Sequence, residues 1–173
     1  SCTINPGCKL RKNISLGPNC KIGGELEDVI FLGYSNKQHD GYLGHSYIGE
    51  WVNLGANTNN SDLKNNYGLI NIQFENKLIK TNQQFLGSMV GDFTRTGIST
   101  MLNTGTTIGL GANLYGAGFQ DKFIQSFHWG IDQITEIEKF LKTIEKIKKR
   151  RNQVLFKEEI VFLTQLYKNI YNS

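Results

Sequence analysis

The sequence predicts an all-β fold in which short strands and corners wind into a repeating coil, with a helical appendage at the C-terminal end. Three observations carry this: aliphatic residues recur at every sixth position, small residues recur four places after them, and the composition changes after Trp129. From the N-terminus the aliphatic lead positions are Ile4, Leu10, Leu16 and Ile22. The rhythm returns at Ile48 and Leu54, and again at Val90, Thr96, Leu102, Ile108 and Leu114. Ten of these eleven are Ile, Leu or Val, residue types that supply only roughly a quarter of the chain. The fourth places read Cys8, Ile14, Cys20 and Leu26, then Val52 and Thr58, then Thr94, Thr100, Thr106, Ala112 and Gly118.

A six-residue period fits neither the 3.6 of a helix nor a simple alternation of strands. It fits a short strand and a corner repeated, with one aliphatic side chain always turned inward. Gly follows the lead residue at 17, 23, 49, 55, 91, 97 and 109, where it would ease the corner. The reading places Ile4, Leu10, Leu16, Ile22, Ile48, Leu54, Leu102, Ile108 and Leu114 inside the coil. Two coils before residue 38, one at 42–59 and two at 85–119 would rise roughly 24 Å at ~4.8 Å each. Cys2, Cys8 and Cys20 share one phase and are expected to stack as small wall-lining side chains. Two segments are expected to leave the coil, at 33–41 (GYSNKQHDG from Gly33) and at 59–84, which is rich in Asn, Lys and Gln. The coil with its excursions spans 1–129, and 130–173 forms a helical pair. Residues 131–151 hold no Gly or Pro, with Ile134, Ile137, Leu141, Ile144 and Ile147 on one helical stripe. Lys148, Lys149, Arg150 and Arg151 close its last turn, where cations suit the helix dipole. Ile160, Leu163, Tyr167 and Ile170 repeat the pattern over 157–171, and such a pair would cap the open end of a coil.

Composition excludes several classes. Apolar residues with glycine make an ordinary globular fraction, which argues against disorder, and 173 residues suit one domain with an appendage. No apolar run reaches the ~18 residues of a membrane span. Three cysteines without a ligand spacing predict a reduced, cytoplasmic setting. The net charge of +4 is mild and concentrated near the C-terminus, so no nucleic-acid partner is predicted. The chain opens in mid-repeat without Met, which suggests a fragment of a longer protein.

The repeat resembles that of the hexapeptide-repeat proteins, and the resemblance implies a left-handed parallel β-helix with three hexapeptides per triangular coil. Two stretches sharpen it. HDGYLGHSYIGEWVNLGANTNNSDLK, from His39, resembles the acetyltransferase domain of bifunctional N-acetylglucosamine-1-phosphate uridylyltransferase / glucosamine-1-phosphate N-acetyltransferase. FLGSMVGDFTRTGISTMLNTGTTIG, 85–109, resembles the archaeal-type sugar-phosphate nucleotidylyltransferases. The resemblance covers most of 14–119. It implies an acyl-CoA-dependent N-acetyltransferase acting on an amino-sugar phosphate in sugar-nucleotide synthesis, with acetyl-CoA as co-substrate. It further implies a homotrimer whose active sites lie between neighbouring prisms, and an upstream nucleotidylyltransferase-like domain.

Carried over position by position, His39 falls where the family has its general base. An imidazole with an unperturbed pKa of ~6.5 can accept the proton of an attacking amine near neutrality. Asn53 falls where the family holds the substrate or its base, Tyr42 where it contacts the sugar, and Ser88 where it holds the oxyanion. Asp62 stands where the family has Asn and is expected among the substrate-binding residues, and Asn57 replaces a Gly. The region of the phosphate-clasping Lys reads ELED at 25–28, which would repel a phosphate. Lys64, Lys80 and Arg95 are then the candidate anion ligands. Two other readings stand beside this one. A non-catalytic, trimerising and regulatory β-helix would explain the missing Lys. A zinc site would need three His, but His39, His45 and His128 lack the expected HxxxxH pair, so no metal is predicted.

Overall fold

The computed structural model describes residues 1–75 and 77–171. The chain divides into two compact units, Ser1–Asp132 and the part from Gln133 onward. The first is a parallel β-solenoid of about seven turns, of the left-handed β-helix type. Its short strands stack in register on three faces. The first face runs Thr3–Ile4, Lys21–Ile22, Asn36–Lys37, Asn53, Arg95–Thr96, Asn113–Leu114 and His128–Trp129. The second runs from Lys9–Leu10 through Leu26, Leu43 and Asn59–Asn60 to Met101–Leu102 and Phe119. The third runs from Ile14–Leu16 through Phe31, Ile48, Val90 and Ile108 to Ile124.

The lead residues form the interior columns. Ile22, Ile48, Leu54, Leu102, Ile108 and Leu114 are buried in one cluster with Leu26, Phe31, Leu43, Val90 and Ile124. Each such side chain contributes about 1.5–3 kcal/mol on leaving water. Ile4 and Leu10 depart from the expectation, being 50% and 40% exposed, and Leu16 is half-buried. They line the first coil, which among the described residues is paired on one side only, with the second coil. The cysteines do not form the single stack expected: Cys2, exposed, is in register with buried Cys20 before the first face, whereas half-buried Cys8 lies at the corner before the second.

Two local rules explain the sequence pattern better than the corner argument does. The glycines that follow the lead residues have no positive φ. What they avoid is collision: a Cβ at Gly17 would fall 1.2 Å from the carbonyl oxygen of Leu32, and one at Gly55 2.4 Å from that of Gly97. The left-handed residue sits two places later and accepts several types, as at Asn13, Asn19, Trp51, Asn57, Phe93 and Ser99. The Thr after it closes the turn, because the hydroxyls of Thr58, Thr100 and Thr106 donate to the carbonyls of Gly55, Gly97 and Asn103.

Residues 33–41 do not leave the coil as expected: Asn36–Lys37 lies between Lys21–Ile22 and Asn53 as an ordinary rung. The solenoid has about seven turns where five were expected, and its stack continues past 119 with rungs at 123–124 and 128–129. The segment between Asn60 and Met89 is built differently. It leaves the second face after Asn60, forms an antiparallel hairpin of Ile70–Phe74 with Lys77–Gln83, and rejoins the third face at Met89. Ile70 is buried, and the Thr107 hydroxyl donates to the Gln73 carbonyl.

The second unit holds helices α1 (Ile137–Lys149) and α2 (Lys157–Tyr171). Helix α1 begins six residues later than the periodicity suggests, after a short strand at Gln133–Ile134. Phe140 and Ile144 are its buried stripe, and the left-handed Asn152 follows its end. Lys148 is not a solvated helix-end charge. It is buried and pairs with Glu159 of α2, whose other carboxylate oxygen accepts the Phe156 N–H.

Candidate active site

One corner of the solenoid is shorter than its neighbours. Between the first and second faces the first coil uses Asn5–Cys8, and the third uses Gln38–Gly41. The second coil has only Gly23 and Gly24, both tolerating a tight turn. The two missing residues leave a notch of about 550 Å³. It is lined by Asn5 and Pro6 on one side, by Gln38, His39 and Asp40 on the other, with Gly23 and Gly24 as its floor. Asn57 of the fourth coil also reaches it.

His39 is exposed on the rim of this notch, at the second place of its corner. Its backbone is held from several sides. Asn5 Nδ2 donates to the Gln38 carbonyl at 2.8 Å, Lys37 Nζ to the carbonyls of His39 and Asp40 at 2.9 and 3.3 Å, and the Asn57 N–H to Asp40 at 2.9 Å. Lys37 occupies an interior lead position and is fully buried. Burial brings its ammonium down to about 8 from an ordinary 10.5, against the opposing pull of Asp40 and Cys8. Nothing in the hexapeptide count flagged this residue. A Lys in a column of Ile and Leu was the signal that could have found it.

The other candidates lie on the flanking faces. Asn53 is on the first face, its Oδ1 accepting from Asn36 Nδ2 at 3.2 Å, with Arg95 next to it in the stack. Arg95 is half-buried, and burial lowers its pKa. Tyr42 is on the second face, where its hydroxyl donates to Asp62 Oδ2 at 2.8 Å. Burial, then this hydrogen bond, pushes the phenol well above its usual range. The same Asp62 oxygen lies 2.7 Å from His45 Nδ1, while His45 Nε2 lies 3.2 Å from Asp28 and the ring stacks on Phe85. Asp62 is thus a clamp at the neck of the excursion, and it replaces Asn beside a His that needs an acceptor. Gly44 makes room for it, since a Cβ there would fall 2.2 Å from Asp62 Oδ2. His39 and His45 occupy successive corners of one coil. Among the described residues, no group of three or more His, Cys, Asp or Glu is placed to hold a metal ion.

Three expectations are corrected. Ser88 is fully buried, stacked on Ser46 inside the solenoid. Its hydroxyl has no hydrogen-bond partner among the described residues, and its N–H already donates to Ser46 Oγ at 2.9 Å. Neither group faces an oxyanion outside the coil. Lys64 donates to the Leu69 carbonyl at 2.6 Å and so braces the excursion itself, whereas Lys80 is exposed on the hairpin. The acidic stretch at 25–28 is not a bare negative patch. Glu25 pairs with Arg11 and Lys9, Glu27 with Arg11 and Lys12, and Asp28 with Lys12. An Asn13 hydrogen bond is the largest cause holding the Asp28 carboxyl below its usual range.

Comparison with known proteins gives related answers. The chain is 32% identical over 112 residues to the bifunctional sugar-1-phosphate nucleotidylyltransferase/acetyltransferase of Sulfurisphaera tokodaii, covering 64% of this chain and 28% of that protein. It is 30% identical over 114 residues to the bifunctional protein GlmU of Methanococcus aeolicus, covering 64% of this chain and 26% of that one. The chain therefore aligns with only about a quarter of the length of these curated relatives. Among solved structures it is similar to AntD, an N-acyltransferase from Bacillus cereus in complex with dTDP and 3-hydroxybutyryl-CoA. That likeness has a TM-score of 0.59 at 14% identity and covers 88% of this chain and 89% of the other, which speaks for the fold. No family model matches.

Proposed function

We propose that this chain is an acyl-CoA-dependent N-acyltransferase domain acting on an amino-sugar phosphate of the glucosamine 1-phosphate kind, with acetyl-CoA as donor. The observation that carries the reading is His39. It is an exposed imidazole on a braced corner, at the rim of a notch made by a shortened coil. The relatives' names supply the reaction class and the setting of sugar-nucleotide synthesis. In the reaction the sugar amine attacks the thioester carbonyl, the C–N bond forms and the C–S bond breaks. His39 takes the amine's proton and returns it to the departing CoA thiolate. On this reading Asn53 and Arg95 on one flank, and Tyr42 on the other, contact the substrate. Ser88 and Asp62 are not assigned to it.

A homotrimer suits this arrangement, because flat solenoid faces pack around a three-fold axis and would complete a site that one prism leaves open. Ile30 and Tyr47 add apolar area to the third face, exposed at 47% and 43%. Three cysteines without a ligand spacing suit a reducing compartment such as the cytoplasm. No described helix is long and apolar enough to cross a membrane. The name of the Sulfurisphaera relative supports a nucleotidylyltransferase-like domain as a companion to this one.

The second reading is a non-catalytic, trimerising regulatory domain. Two features favour it, the buried Ser88 and the lack of a Lys in the 25–28 stretch. Release of free CoA from acetyl-CoA, dependent on glucosamine 1-phosphate, separates the two. Release at an enzymatic rate is expected, and its absence with every amino-sugar phosphate leaves the second reading.

A further inference from the structure

Lys37 is the residue least suited to its surroundings by packing alone. It follows Ile22 and precedes Leu54 in an interior column, and it is fully buried. An aliphatic side chain would continue that column with no charge to desolvate, and such replacements of buried charges are often neutral or stabilising. The ammonium is nevertheless accommodated. It sits against Gly24 and Gly41, where added Cβ atoms would come within 2.9 and 3.2 Å of Nζ. The titratable groups that act on it are Asp40 and Cys8.

What the ammonium touches is the backbone that carries His39. It donates to the His39 and Asp40 carbonyls, while Asn5 holds the neighbouring carbonyl of Gln38. Three consecutive carbonyls of one exposed corner are therefore tied down by side chains, directly above the coil whose own corner is two residues short. We infer that Lys37 is a positioning residue for His39: its buried ammonium fixes the carbonyls of His39 and Asp40, and with them the direction in which the imidazole meets the notch. The inference rests on the acyltransferase reading above. A buried charge that opposes stability, retained under the one corner that bears the candidate base, is what such a role requires.

The test compares the unmodified chain with Lys37→Met by hydrogen exchange and by steady-state acetyl transfer to glucosamine 1-phosphate. Lys37→Met should stay folded, with a thermal midpoint no lower than that of the parent. Amides of 39–42 should exchange about tenfold faster or more, because the corner can then open locally. The kcat should fall about ten- to a hundredfold, as misplacement of a catalytic group costs, with KM for acetyl-CoA unchanged. Lys37→Gln keeps a shorter N–H donor and should recover part of both effects; it also serves if the Met variant does not fold. Unchanged exchange together with full kcat in Lys37→Met overturns the assignment. No transfer by the unmodified chain overturns the acyltransferase reading instead. In that case exchange alone decides whether Lys37 holds the corner, and unchanged exchange overturns that too.

Discussion

His39 and His45 are six residues apart, yet their surroundings give them different work. His39 is exposed at the notch, and its side chain makes no contact on which the coil depends. His39→Ala should therefore lower acyl transfer by about 10²–10⁴-fold, the usual worth of a positioned base, without moving the unfolding midpoint. His45 shares Asp62 with Tyr42 and stacks on Phe85. His45→Ala should cost about 1–3 kcal/mol of stability in urea titrations, the order expected for an unmatched, partly buried acceptor, and change the rate far less. Equal rate losses from the two would speak against His39 as the base. Lys37 gives a pH signature of its own. Its pKa falls on folding from 10.5 to about 8, so the unfolded chain binds the extra proton between these values. Below pH 8 both states are protonated and the full desolvation cost is present. Stability should thus rise with pH from 8 toward 10.5, relative to a Lys37→Met control that lacks the group. A constant difference between the two across that window would show that the ammonium is not desolvated.

At the scale of elements, the informative unit is the corner. The regular corners repeat one left-handed residue and one hydroxyl that closes the turn, and the irregular one makes the notch. The shortening is visible in the spacing, since Ile22 and Leu26 are four apart where the lead residues are otherwise mostly six apart. A strict six-residue count assigns Leu26 to the wrong column; the register with Leu10 and Leu43 restores it to the lead. Inserting two residues between Gly23 and Gly24 would rebuild a regular corner and fill the notch. The variant should keep the solenoid's circular dichroism yet lose acyl transfer at least about tenfold, as displaced reacting groups do. Retained activity would place the reaction elsewhere on the coil.

The solenoid unit presents three faces of parallel strands, and the candidate substrate contacts are divided between two of them. Asn53 and Arg95 lie on the first face and Tyr42 on the second, separated by the edge that carries His39. In the proposed trimer a neighbouring prism would close this site from outside. Light scattering at micromolar concentration should return about three times the 19.5 kDa of the chain. A monomer that nonetheless transfers acetyl groups would show the single prism to be sufficient.

The periodic residues by themselves determined the solenoid, its interior columns and the change to helices after Trp129, because a six-residue repeat is local and each coil repeats the same burial. The resemblance to the acetyltransferases, not the period, singled out His39, in a segment expected to leave the coil. The sequence left undecided how coils of unequal length would stack. Successive coils here advance by 18, 15 and 17 residues from Thr3 through Lys21 and Asn36 to Asn53. Only the tertiary register turns those differences into a notch, sends the Lys37 ammonium to the carbonyls of His39 and Asp40, and joins Asp62 to Tyr42 and His45. It also turns the Ser88 hydroxyl inward. The physical reason is common to all four: each contact joins a backbone or side chain to a partner whose position depends on where neighbouring coils begin and end, which no local period records.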